Sequence, residues 1–96
     1  MGSILVRRYR TRIGILLDIL SWIHRLDEPT ITTLITYTNV PHDRIKGILR
    51  NLEEKGVVRR IQSDDHFIYV LTERGYRLLR DLERIKKSLE GLGIPI

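Results

Sequence analysis

The chain has 96 residues, 42% of them hydrophobic, no cysteine and a formal net charge of +5. That length suits one domain with one modest core, a size at which help from a partner subunit would be unsurprising. The lack of cysteine excludes disulfides, zinc ribbons and thiol catalysis and favours an intracellular setting, and no apolar run approaches the roughly 18 residues of a membrane span.

The charge is unevenly placed. Four of the seventeen basic side chains, Arg7, Arg8, Arg10 and Arg12, fall within six residues, and the remaining thirteen nearly balance twelve acidic ones. A strongly basic arm over residues 1–11 therefore precedes a nearly neutral body. Arg outnumbers Lys thirteen to four, and guanidinium favours bidentate contact with phosphate. The opening MGSILVRRYR does not read as a signal peptide, because its charges follow the short apolar run. Val6 also stands where a myristoylation signal needs Ser or Thr. The arm RRYRTR reads either as a phosphate-contacting or minor-groove extension, with Tyr9 able to stack or to lie on a sugar, or as a solvated start to the first helix.

A first helix is expected from Arg12 to Leu26, with Ile13, Leu16, Leu17, Leu20 and Ile23 on its buried stripe. Trp22 lies beside that stripe, on a side open to a second subunit. Asp27-Glu28-Pro29 ends the helix, since proline disfavours α conformation at Glu28. Thr30-Ile31 is expected as a short strand. The run ITTLITYT fits helix or strand on composition. Context decides for a helix, with Thr32 as its cap and Asn39 in a left-handed turn after it.

Pro41 to Gly56 is the sharpest helical signal. Ile45, Ile48, Leu49 and Leu52 repeat at the spacing of one buried face. Pro41 suits the first turn and Gly56 the position just past the end. The opposite face carries Asp43, Gly47, Arg50 and Glu54, flanked by Lys46 and Asn51. A mid-helix glycine costs about 1 kcal/mol against alanine, so Gly47 reflects either close approach to another surface or neutral drift.

After Gly56 the period changes to two. Val57–Gln62 and Phe67–Leu71 read as strands around a Ser63–His66 turn, which places a β-hairpin wing behind the helix. Thr72 caps a last helix with Glu73 in its first turn. Leu78, Leu82, Ile85, Leu89 and Leu92 are spaced as a coiled-coil seam two heptads long, a dimer interface that the first helix is expected to share. Leu79 sits off the seam and packs on its own domain. Gly91 and Gly93 stop the helix, and the apolar tail 92–96 is expected to dock on the partner. The organisation is thus an arm (1–11), a helix-turn-helix with wing (12–72), a dimerisation helix (73–91) and a tail.

LEEKGVVRR followed by YVLTERGYRLL resembles the winged helix-turn-helix superfamily, through Leu52, Gly56 and Val57 and through Leu71, Thr72 and Gly75. The chain is similar to small archaeal winged-helix proteins that dimerise through a carboxy-terminal coiled coil, and to regulators of the multiple-antibiotic-resistance type. The resemblance implies a mainly α fold with a small β-hairpin wing, and a homodimer on double-stranded DNA. It also implies that the helix near Pro41 enters the major groove. His42, Asp43, Lys46, Gly47 and Arg50 then face the bases. Lys46 and Arg50 are candidates for guanine and Asp43 for cytosine. Arg7, Arg8, Arg10, Arg12, Arg44, Arg59 and Arg60 are candidates for phosphate contacts, which set affinity and position more than sequence preference.

One departure stands out. The wing tip of such families is basic, whereas Ser63-Asp64-Asp65-His66 would repel phosphate. Either the wing turns away from DNA, or its base supplies the contacts through Arg59, Arg60 and Gln62, or the domain has become a protein-interaction module. Asp64, Asp65 and His66 are contiguous in a turn and do not form a preformed metal site. His42-Asp43 reads as groove contact or solvation, not as an acid–base pair. No nucleophile elbow or phosphate loop is present. The expectation is a cytoplasmic, nucleoid-associated, non-enzymatic transcriptional regulator with no cofactor, metal, membrane partner or small-molecule effector. An architectural DNA binder and a protein–protein adaptor are the alternatives.

Overall fold

The computed structural model describes residues 10–96, so Arg7, Arg8 and Tyr9 of the basic arm lie outside the described residues. Its elements run α1 (Arg12–Arg25), α2 (Ile31–Thr38), α3 (His42–Glu54), β1 (Val58–Ser63), β2 (His66–Leu71) and α4 (Glu73–Gly91). The three helices α1 to α3 close around Ile19, Leu20, Leu34, Ile45 and Leu49, all fully buried. Val58 of the hairpin and Leu79 and Leu82 of α4 complete the same core.

Helix α1 begins at Thr11, whose hydroxyl accepts the Gly14 N–H at 2.9 Å and so satisfies an otherwise unpaired donor. The buried residues of α1 are Ile15, Leu17, Ile19, Leu20 and Ile23. Two expected core positions differ: Ile13 is 52% exposed and Leu16 only half-buried. The helix is apolar on most of its circumference from Ile13 to Leu20. Spacing alone therefore does not select the face that the neighbouring helices cover.

Thr30-Ile31 is not a strand. Thr30 caps α2, its hydroxyl accepting the Thr33 N–H, and Ile31 is the first helical residue. What remains of the expected strand is one ladder-like bond, from the Tyr69 N–H to the Pro29 carbonyl at 2.9 Å. The cap is thus Thr30, not Thr32. The helix-turn-helix corner is as expected: Asn39 ends α2 in the left-handed conformation (φ 59, ψ 31). Buried Thr38 locks this corner. Its hydroxyl donates to the Leu34 carbonyl at 2.7 Å and accepts the Val40 N–H at 3.3 Å.

Pro41 is the N-cap residue of α3, with Asp43 in the first turn. At the other end, Gly56 takes φ 73. The Gly56 N–H bonds the Glu53 carbonyl and the Val57 N–H bonds the Leu52 carbonyl. This 5→2 and 6→1 pair is a Schellman stop, sealed by buried Leu52 and Val57. The chain then enters β1, which pairs antiparallel with β2 from Val58↔Leu71 to Ser63↔His66. Both strands reach one residue further into the turn than expected. Only Asp64 and Asp65 connect them, Asp64 at φ 55.

Thr72 caps α4, accepting the Gly75 N–H at 3.1 Å, with Glu73 in the first turn. Beyond Leu82 no residue of α4 is buried. The helix closes with a second Schellman pair, Gly93 N–H to Glu90 and Ile94 N–H to Leu89, with Gly93 at φ 78. The tail turns back on its own chain, so that the Ile96 carbonyl oxygen lies 3.4 Å from where a Gly14 Cβ would stand.

Candidate nucleic-acid interface

Burial of Ile45, Leu49 and Leu52 sets the rotation of α3 about its axis. The same rotation leaves His42, Asp43, Arg44, Lys46, Gly47 and Arg50 exposed along an outward ridge. The ridge has two flanks. On the wing side, His42, Lys46, Arg50 and Glu53 line a groove of about 340 Å³ with Arg60, His66, Phe67 and Tyr69 of the hairpin and Thr30 to Thr32 of α2. On the other side, Asp43, Arg44, Gly47 and Asn51 line a larger and more apolar groove of about 580 Å³, shared with Arg12, Ile15 and Leu16 of α1.

The residues expected on one reading face are therefore divided by the crest of the helix. His42, Lys46 and Arg50 look toward the wing, whereas Asp43 and Gly47 look toward α1. A Cβ added at Gly47 meets nothing within 4 Å. The fold itself does not demand glycine there. His42 Nδ1 and Asp43 Oδ1 lie 3.5 Å apart at the surface.

The basic candidates differ in what they touch. Arg10 is turned inward: its guanidinium donates to the Thr38 carbonyl at 2.6 Å and pairs with Asp18. It stitches the start of the described chain to the α2–α3 corner. That positive charge sits at the negative end of α2, where the helix dipole favours it. Arg12 and Arg44 flank the α1-side groove. Arg59 and Arg60 alternate onto opposite faces of the hairpin, opposite Val70 and Tyr69 respectively. Of the two, Arg60 lines the wing-side groove.

Three contributors to this groove were not singled out from the sequence. Glu53 reaches Arg60, Oε1 to Nε at 3.5 Å. Phe67, 43% exposed, lies under the Arg60 guanidinium, 4.4 Å from carbon Cζ to ring centroid. Buried Tyr69 has its phenol pushed up, first by burial and then by the Glu53 carboxylate, with Arg60 opposing. The period-two pattern announced the strands, but no local signal pairs a residue at the end of α3 with one in β1. The acidic Asp64-Asp65 turn is exposed beyond this groove.

The five seam positions of α4 also separate. Leu82 is 8% exposed and belongs to the chain's own core, and Leu78 packs partly against it. Leu89 is half-buried, while Ile85 and Leu92 are 50% and 74% exposed. Ile13 and Ile94 add further exposed apolar surface. Among the described residues no three His, Cys, Asp or Glu side chains gather as a metal cluster. No helix there is long and apolar enough to cross a membrane.

This arrangement of three helices, hairpin and trailing helix is that of a winged helix-turn-helix. The family of that description matches residues 9–90, and the chain belongs to it. The architecture is similar to that of Sso10a-2, a DNA-binding protein from Sulfolobus solfataricus (29% identity, TM-score 0.73, covering 86% of this chain and 85% of that one). It is similar also to BldR, a transcriptional regulator from Sulfolobus solfataricus (22% identity, TM-score 0.71, covering 92% and 61%). A third likeness is to a mutant of MepR from S. aureus bound to an oligodeoxyribonucleotide (21% identity, TM-score 0.70, covering 82% and 61%). The chain thus spans about 60% of the MepR and BldR chains. Comparison with curated proteins yields no significant match.

Proposed function

We propose that this chain is a homodimeric, sequence-specific double-stranded DNA-binding protein that acts as a transcriptional regulator. The observation that carries the reading is the α3 ridge. Its apolar face is held in the core through Ile45, Leu49 and Leu52, with Ile48 half-buried, and its exposed face offers Lys46 and Arg50 beside Arg60. A ridge of that kind fits a major groove, where Lys and Arg read guanine O6 and N7. Gly47 on the α1-side flank leaves the backbone there open to close approach. Arg12 and Arg44 would meet phosphate along the opposite flank, and Arg7 and Arg8 of the arm would add charge for further phosphate contacts. That Sso10a-2 is a DNA-binding protein and that the MepR variant holds an oligodeoxyribonucleotide support the reading.

Pairing would use the exposed part of α4, Ile85, Leu89 and Leu92, together with Ile13 of α1. A twofold dimer would set its two ridges about 34–36 Å apart, one helical turn of duplex. Selection of bound duplexes from a random pool tests the proposal. A twofold-repeated motif with a guanine under each ridge is the expected outcome. Enrichment without a motif would make the chain an architectural binder. Failure to retain any duplex would leave the exposed Asp64-Asp65 turn as the mark of a protein-interaction module.

A further inference from the structure

Glu53 is anomalous in a groove meant for a polyanion. Among the described residues it is the one carboxylate lining the wing-side surface, set among His42, Lys46, Arg50, Arg60 and His66. Two roles of opposite sign are open to it. As a bystander it would repel phosphate and subtract from the positive field. As a support it would hold a cation in place. The local geometry favours the second. The Glu53 carboxylate stands 3.5 Å from the Nε edge of Arg60, and the guanidinium lies over the Phe67 ring at 4.4 Å. Arg60 is thereby charge-paired along one edge and stacked on one face, while its side chain remains 46% exposed. A guanidinium has five N–H donors in a planar fork. With the Nε edge facing Glu53, the remaining edge keeps the paired donors that bind phosphate bidentately. Holding that fork before DNA arrives removes part of the ordering cost of a long side chain.

We propose that Glu53 is a positioning residue for Arg60, and that the two act as one unit presenting a guanidinium to a backbone phosphate from the base of the wing. This rests on the DNA-binding reading above. It also accounts for a wing that works with an acidic tip: the contact comes from β1, not from the turn. Phe67 is the third member, a flat surface that keeps the guanidinium plane oriented.

A double-mutant cycle on the full-length chain, with duplex selected by the wild type, decides between the two roles. Glu53→Ala removes a negative charge, so simple repulsion predicts tighter binding. Positioning predicts binding weaker by about three- to tenfold near 0.1 M salt, with the slope of log affinity on log salt shallower by about two for a dimer that loses one phosphate contact in each subunit. In the Arg60→Ala background there is nothing left to position, and the same Glu53→Ala change should tighten binding slightly. Glu53→Gln, which keeps an acceptor for Nε, should retain more affinity than Glu53→Ala. It also supplies the comparison if the alanine variant unfolds. If Glu53→Ala binds more tightly than wild type, or changes affinity equally in both backgrounds, the positioning role is wrong. A wild-type chain that binds no duplex would instead sink the DNA-binding reading itself, so the two failures are told apart.

Discussion

The Val57 carbonyl oxygen occupies the space that a side chain at Gly75 would need: an ideal Cβ there would stand 2.2 Å from it. Thr72 sits in the same knot. Its N–H and hydroxyl both reach the Val57 carbonyl at 3.1 Å, and its hydroxyl also reaches the Gly56 carbonyl at 2.6 Å. The paired motifs around Gly56-Val57 and Thr72-Gly75 are thus two sides of one contact, which docks the start of α4 against the end of α3. Gly75→Ala forces backbone against side chain with no flexible group to yield. It should destabilise the domain by about 2–3 kcal/mol, read as a lower midpoint in urea unfolding. An unchanged midpoint would mean that α4 is not docked in this way.

Gly47 behaves oppositely. A methyl there meets nothing within the chain, and alanine is the better helix former by about 1 kcal/mol. Gly47→Ala should therefore raise stability by roughly that amount while weakening duplex binding. The pair of readouts separates close approach from neutral drift. A stabilised variant with unchanged affinity would show that Gly47 faces no groove.

The α4 seam calls for a different mutation from the one its spacing first suggests. Leu82→Glu would bury a charge in the chain's own core, where Leu82 is 8% exposed, and should unfold the domain. Ile85, half-exposed beside it in the same stripe, is the informative position. Ile85→Glu should keep the helical circular dichroism and the melting behaviour of the isolated subunit. Light scattering should then report the mass of a single chain. A dimer mass retained by Ile85→Glu would move the interface elsewhere.

Tyr69 links folding to alkaline pH. Its phenol is held above the ordinary value of 10.0, first by burial and then by Glu53. The folded chain therefore keeps a proton that the unfolded chain releases. Its contribution is complete below pH 10.0 and is lost as pH rises through the folded value. Tyr69→Phe removes the titrating group, so the two proteins should differ in how stability changes with pH above about 10 and nowhere below it. Chemical denaturation at stepped alkaline pH checks this, and parallel slopes for the two proteins would contradict it.

What the sequence showed, and what it hid, follows from the range of the forces involved. Asn39 at φ 59 and Gly56 at φ 73 are legible because a left-handed residue has few candidates. The Thr72 cap is legible because a hydroxyl, an acidic first turn and a new period coincide there. Thr30 reads as strand because threonine both caps helices and favours sheets. Its role is settled by Pro29, whose carbonyl is drawn to Tyr69, 40 residues away in the chain. The α4 spacing correctly marks an apolar stripe but does not say that its own domain covers Leu82 and leaves Ile85 bare. Arg10 and Arg60 count as cations for a partner in the sequence, yet one is bonded to Thr38 and Asp18 and the other rests between Glu53 and Phe67. Such engagements are tertiary, and periodicity carries no trace of them.

Salt dependence of duplex affinity tests the central claim most directly, by titrating the full-length chain against selected duplex from about 50 to 200 mM salt. A dimer that neutralises six or more phosphates should lose affinity by about 10³-fold or more across that range. Removing residues 1–9, which spares the Arg10 contacts and the Thr11 cap, should flatten the slope. No duplex binding at the lowest salt, or an affinity indifferent to salt, would contradict the account.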